Sequence, residues 1–271
     1  MSTTTARTVR SRDGTAIAFS RSGNGPPIIS VDGALAYRSF NPAGAELASL
    51  LGPHFTVVTY DRRGRGESGD TQPYAPPREV EDLDALIAEV GGSAFVYAMS
   101  SGSALALDAA AQGRAITKLA LYEPSFVVDS TRPPIPTDYV KRLKDFVSSG
   151  HRGDAVEFFM TKAVEVPAAM VAQMRPSPMW PAMEAVAHTL AYDGETLADS
   201  MSGKPLSKKR WGSVAVPTLV IDGDASPAWL RNAVQALTDL LPNAERRTLE
   251  GQTHNVDAKV LAPVLEEFFG R

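Results

Sequence analysis

The sequence predicts an α/β protein with a mostly parallel central sheet and helices on both faces. Three observations predict it. Six short apolar runs recur along the chain: "PPIISVDG" (26–33), "FTVVTYD" (55–61), "AFVYAMS" (94–100), "KLALYEP" (118–124), "VPTLVIDG" (216–223) and "ERRTLEG" (245–251). Helical patterns such as "REVEDLDALIAEVGG" and "PAWLRNAVQALTDLLP" lie between them. Strand alternating with helix requires crossover connections, which lay helices over both faces of a parallel sheet. At the front of the chain, "TVRS" and "TAIAFSRSG" flank Asp13-Gly14, a hairpin signal, so an antiparallel pair should precede the parallel part.

The alternation stops over 126–213. There the sequence reads as several helices separated by prolines, with no strand-like run. This segment is expected to be a helical cap inserted between two core strands, leaving 1–125 and 214–271 as the core. It carries Trp180 and six of the eight methionines, Met160, Met170, Met174, Met179, Met183 and Met201. Most of these are expected to be packing residues. Flexible thioethers suit an irregular apolar pocket, and Trp180, Met160 and Met179 are taken as its lining.

The 271 residues are 44% hydrophobic, enough for a large core. A net charge of −4 favours neither nucleic acid nor an anionic membrane surface, and the basic knot Arg62, Arg63 and Arg65 is too short for a phosphate-binding stripe. The absence of cysteine excludes disulfides, thiol nucleophiles and thiolate metal sites, and it fits a reducing compartment. The start "MSTTTARTVRSRDG" has no apolar core like that of a signal peptide, and no later run approaches roughly 18 apolar residues. The expectation is a cytoplasmic protein without stable membrane association. His54, His151, His188 and His254 lack metal-ligand spacing, so neither a metal nor another cofactor is expected.

The stretch "FVYAMSSGSALAL" (95–107) passes from a strand pattern into a helix pattern through two serines and a glycine. Leu105, Ala106 and Ala109 fall at helical spacing and Gly113 is a suitable stop. So tight a turn needs small residues two before and two after its apex. Ser101 and Ser103 fail that test, whereas Ser100 has Ala98 and Gly102. Ser100 is therefore the candidate nucleophile, on a turn that holds its hydroxyl outward.

A serine hydroxyl needs a base, and the base needs an orienting acid. His254, in the polar loop "GQTHNVD" after the last strand, is the base expected from the strand order, ahead of a helix that Asp257 could cap. Three carboxylates compete for the acid. In "DGDAS", Asp222 and Asp224 flank Gly223, while Glu123 ends the strand after the elbow helix, where ligands of such sheets gather. Glu123 is preferred, with Asp224 the alternative. The oxyanion donors are expected from the amide of Ser101, which opens the elbow helix, and that of Ala34 in "VDGALAY", where Gly33 lets the backbone come close. "GRGESG" (64–69) matches a dinucleotide pattern, but "DTQPYAPP" follows it and cannot be the required helix.

Together, "YDRRGRGESG", "VDGALAY", "AMSSG" and "GQTHNV" resemble the α/β-hydrolase fold family of serine hydrolases over essentially the whole chain. Asp32 stands where that family more often has histidine, Ala98 where it has glycine, and Ser226 where its aspartate is common. The last departure is similar to branches with the acid one strand earlier, such as zearalenone lactonases, which also carry a D-G oxyanion loop. The resemblance implies a cofactor-independent hydrolase of apolar esters or lactones. A carbon–carbon bond hydrolase or perhydrolase with the same triad, and a non-catalytic receptor on the same fold, are the alternatives.

Overall fold

A computed structural model describes residues 7–271. Residues 1–6, the front of the polar stretch that argues against a signal peptide, lie outside the described residues. The core begins with β1 (Arg7–Arg10), β2 (Ala16–Ser22), β3 (Pro27–Val31), α1 (Pro42–Leu51), β4 (Thr56–Tyr60), α2 (Pro76–Glu89), β5 (Ala94–Met99), α3 (Gly102–Ala111) and β6 (Ile116–Tyr122). Six helices follow: α4 (Tyr139–Ser148), α5 (Arg152–Lys162), α6 (Ala168–Met174), α7 (Trp180–Ala185), α8 (Thr189–Leu197) and α9 (Lys208–Trp211). The chain then returns to the core with β7 (Thr218–Gly223), α10 (Ala228–Leu240), β8 (Ala244–Leu249) and α11 (Ala258–Gly270).

The eight strands form one sheet in the order β1-β2-β4-β3-β5-β6-β7-β8. The β1–β2 and β2–β4 pairs are antiparallel and the rest parallel. The β1–β2 turn closes with Gly14 at φ +87°, a conformation that costs glycine nothing. Every residue of β7 is buried, as a central strand covered on both faces requires. The polar β8, with Glu245, Arg246 and Arg247, is the outer strand, where charged side chains discourage pairing with another chain.

The two faces have separate apolar clusters. Leu83 of α2, Leu105 of α3 and Val234 of α10 pack with Val58 and Val96 on one side; Leu51 of α1 and Leu261 and Phe269 of α11 pack with Val57 and Ile221 on the other. Local chemistry sets the helix ends. Gly113 (φ +71°) closes α3, with the Arg114 amide bonded to the Ala109 carbonyl and that of Gly113 to Ala110. Asp257 starts α11 by accepting the Lys259 amide at 2.9 Å.

Between β6 and β7 the described chain contains helices and turns but no strand. Tyr139, Leu143, Phe158, Trp180 and Leu190 form a cluster of their own, whereas Phe126, Leu197, Met201 and Trp211 pack into the main core. The "GRGESG" segment is a turn, not a helix N-terminus. It wraps the carboxylate of Asp61, which accepts the amides of Arg38 (2.7 Å) and Glu67 (2.9 Å). A Cβ on Gly66 would fall 2.3 Å from that carboxylate.

Candidate active site

Ser100 follows the last residue of β5 and has φ +57°, a left-handed conformation that costs a non-glycine residue energy. Leu35 (φ 62°) and Glu123 (φ 42°) share this feature, so three of the five such non-glycine residues among those described follow the adjacent strands β3, β5 and β6. Gly102 shows why small residues are needed at this turn. A Cβ there would lie 2.6 Å from the Val31 carbonyl and 2.8 Å from that of Asp32, backbone atoms that cannot give way. Ala98 is fully buried in β5 beside β3.

Strand register brings the polar residues together. Met99 pairs with Tyr122 and Tyr122 with Ile221, so Ser100, Glu123 and Asp222 emerge at the same end of adjacent strands. Glu123 is fully buried. Its Oε1 accepts the Gly223 amide at 2.9 Å, and its Oε2 lies 2.9 Å from Nδ1 of His254. Asp222 instead binds the Arg246 guanidinium (2.5 Å) and the Thr248 hydroxyl (2.8 Å). Asp224 is exposed and accepts the Gly251 amide at 2.7 Å, shaping the histidine loop without meeting the imidazole. That loop is also fixed by the Tyr122 hydroxyl, which donates to the Thr253 carbonyl at 2.6 Å.

Ser100 Oγ lies 2.8 Å from the hydroxyl of Ser125 in this arrangement. The amides of Ser101 and Ala34 donate to no protein acceptor among the described residues. Gly33 packs against the serine so closely that a Cβ would come within 2.7 Å of Ser100 Cβ. Behind these groups lies a buried ion cluster. Arg62 binds Glu79 through two 2.7 Å contacts and reaches Asp193 Oδ1 at 2.7 Å. Arg65 meets Asp193 Oδ2 at 2.7 Å. Burial would raise the Asp193 carboxyl, but Arg65 and Arg62 outweigh it and hold it below the usual carboxylate value. At Asp32 burial wins and raises the carboxyl, against the pull of Asn41, Arg65 and Arg62.

Ser100 and His254 line a cavity of about 780 Å³ together with Tyr139, Phe159, Met160 and Trp229. Sequence reasoning expected Trp180 and Met179 there, and the structure places both elsewhere. Trp180 turns into the apolar cluster of the helices between β6 and β7, where its indole donates to Glu184 at 2.9 Å, and Met179 is exposed. Met201 lines the cavity, Met183 is buried in the same cluster as Trp180, and Met170 and Met174 are exposed. Ser125 and Asp193 were not anticipated. The signal for Ser125 was its place two residues beyond Glu123; for the ion cluster it was three closely spaced arginines directly after an apolar strand.

Residues 22–263 match the sequence pattern of the Alpha/beta hydrolase family. The chain is also 56% identical to an alpha/beta hydrolase from Sphaerobacter thermophilus, with 97% of this chain and 100% of that one covered and a TM-score of 0.89. The protein belongs to the alpha/beta hydrolase family. The fold is shared with an enol-lactonase from Burkholderia xenovorans (20% identity, 98% and 100% covered, TM-score 0.72). It is also shared with a 2-hydroxy-6-oxo-6-phenylhexa-2,4-dienoate hydrolase from a Rhodococcus strain (19% identity, 99% and 100% covered, TM-score 0.68). Among the described residues no helix is long and apolar enough to cross a membrane.

Proposed function

We propose that the protein is a cofactor-independent serine hydrolase that cleaves a carboxylic ester or lactone. The observation that carries this reading is the 2.9 Å contact of His254 Nδ1 with buried Glu123, beside a strained-turn serine on the same cavity. With Nδ1–H donated to Glu123, Nε2 is left as the basic nitrogen. When substrate enters, the Ser100 hydroxyl turns from Ser125 to His254, gives up its proton and attacks the carbonyl carbon. The amides of Ser101 and Ala34 hold the oxyanion, and Glu123 stabilises the imidazolium. Collapse of the tetrahedral intermediate expels the alkoxide, which takes the proton from His254. Water then attacks the acyl-enzyme by the same route and releases the acid; a lactone yields a hydroxy acid.

A cavity of about 780 Å³ is toward the upper end of the range for small-molecule sites, and its aromatic and thioether lining favours a bulky apolar substrate. The enol-lactonase with this fold accords with the bond type. We assign the reaction to the cytoplasm, since a chain without cysteine suits a reducing compartment.

The test is turnover of an aryl acetate, a medium-chain ester, a simple lactone and a resorcylic macrolactone by wild type and Ser100→Ala, with fluorophosphonate labelling of both. We predict turnover of at least one substrate and labelling in the wild type only. Turnover by Ser100→Ala equal to wild type, or no turnover and no labelling of the wild type, would overturn the reading.

A further inference from the structure

We propose that Asp193, on α8 in the cap, is a positioning residue for the oxyanion hole: its carboxylate fixes Ser101 directly and the Gly33–Ala34 peptide through Arg65. The inference rests on the serine hydrolase reading given above. Asp193 Oδ1 accepts the Ser101 hydroxyl at 2.8 Å as well as Arg62 Nη1 at 2.7 Å, and Oδ2 accepts Arg65 Nη2 at 2.7 Å. Arg65 Nη1 then donates to the Gly33 carbonyl at 2.5 Å, and Arg62 Nη1 reaches the Asp32 carbonyl at 3.3 Å. In a planar trans peptide the carbonyl and the following N–H point in opposite directions. Pinning the Gly33 oxygen therefore fixes the direction of the Ala34 N–H. One carboxylate thus reaches both donor residues, Ser101 through its side-chain hydroxyl and the Gly33–Ala34 peptide through a guanidinium.

The placement of the charges supports this role over simple clamping. Arg62, Arg65, Glu79 and Asp193 are each no more than 3% exposed. A cluster of two cations and two anions at that depth is balanced, but apolar side chains of like volume are often as stable or more so, so stability alone is a weak reason for it. Its contacts instead converge on the elbow and on the loop beside it. Thr189, also on α8, accepts Arg65 Nε at 3.1 Å, so the cap holds this arginine at two places. The cap therefore does more than cover substrate: it completes the geometry of the core's anion-binding peptides.

The test uses Asp193→Asn and Ser101→Ala, with competent sites counted by fluorophosphonate titration so that unfolded protein does not enter the rates. Asp193→Asn presents an N–H where an acceptor stood. Its kcat per titrated site should fall about a hundredfold, the scale for losing one oxyanion donor, with KM little changed. Ser101→Ala retains all the ion pairs and should lose about tenfold, the scale of one charge-assisted hydrogen bond. An aryl trifluoromethyl ketone, which Ser100 converts to a tetrahedral adduct with an oxyanion, should lose affinity in parallel with kcat, while the matching methyl ketone should not. Wild-type kcat per site in both variants, with only a lowered Tm, would show a clamp and overturn the proposal; if Asp193→Asn does not fold, Ser101→Ala decides alone. Ser100→Ala is run beside them. Retained turnover there defeats the hydrolase reading itself, whereas a dead Ser100→Ala with unaffected Asp193→Asn and Ser101→Ala defeats only the positioning role.

Discussion

At the scale of single residues, Glu123 has the most exacting position. Its carboxylate is buried between the Gly223 amide and His254, and its backbone is held at a positive φ by the Ile221 carbonyl, which accepts its amide at 2.9 Å. Glutamine would keep the shape and the hydrogen bond from Gly223 but would lose the charge that favours the imidazolium. We predict that Glu123→Gln lowers kcat by up to about ten-thousandfold, the severe end for removal of a triad acid, while Asp224→Asn leaves it within a few fold. Steady-state kinetics of both variants on the same ester decides the assignment. A mild Glu123→Gln with a severe Asp224→Asn would transfer the acid role to Asp224.

At the scale of elements, the arginines after β4 join parts of the chain that the sheet alone leaves apart. Arg63, fully buried, grips Asp82 of α2 through contacts of 2.6 and 2.7 Å and reaches Asp13 in the β1–β2 turn at 2.9 Å. Burial acts to raise the Asp13 carboxyl, but hydrogen bonds from Thr15 and the charge of Arg63 bring it down from 3.8 to about 2. A carboxyl with a lowered folded value stabilises the fold above its unfolded value, and that contribution is lost as pH falls through the folded one. We therefore predict that Asp13→Asn destabilises the protein at pH 7 and that the difference from wild type shrinks steadily between pH 4 and pH 2. Urea unfolding of both proteins across that window measures it. A difference independent of pH would show that Asp13 acts through its neutral hydrogen bonds.

At the scale of the whole molecule, the helices between β6 and β7 and the loops at the strand ends share the cavity, so substrate choice should depend on which side chains of those helices reach it. Met160 lines the cavity and Met179 is exposed away from it, although both belong to the same methionine-rich segment. We predict that Met160→Trp lowers kcat/KM for the macrolactone by about tenfold or more relative to the aryl acetate, because overpacking costs roughly 1–3 kcal/mol. Met179→Trp should leave that ratio unchanged. Competition between the two substrates reads the ratio directly, and equal effects of the two variants would remove Met160 from the specificity surface.

All six runs are strands of the core sheet, with the polar β8 at its edge, and the Asp13-Gly14 turn is a hairpin, since short-range rules govern these features: burial on two faces selects the apolar runs of the interior strands, and a tight reversal selects glycine. Small residues at 98 and 102 singled out Ser100 for the same kind of local reason, the room available within one turn. The contact of Glu123 with His254 depends on the register of β6 against β5 and β7 and on how the β8 loop folds back, and no local pattern contains that information. Helical spacing between β6 and β7 did not say which face would meet the cavity, so Trp180 and Met160 could not be told apart by sequence. The partners of Arg62 and Arg65 lie as far away as Asp193, 131 and 128 residues on. Sequence by itself determined the strands, the turn chemistry and the chemical types available to the site, because these follow from nearest neighbours. Only the tertiary structure decided which carboxylate meets the imidazole, which thioether meets the cavity and which anion balances the buried arginines, because each is a contact between segments joined only by packing.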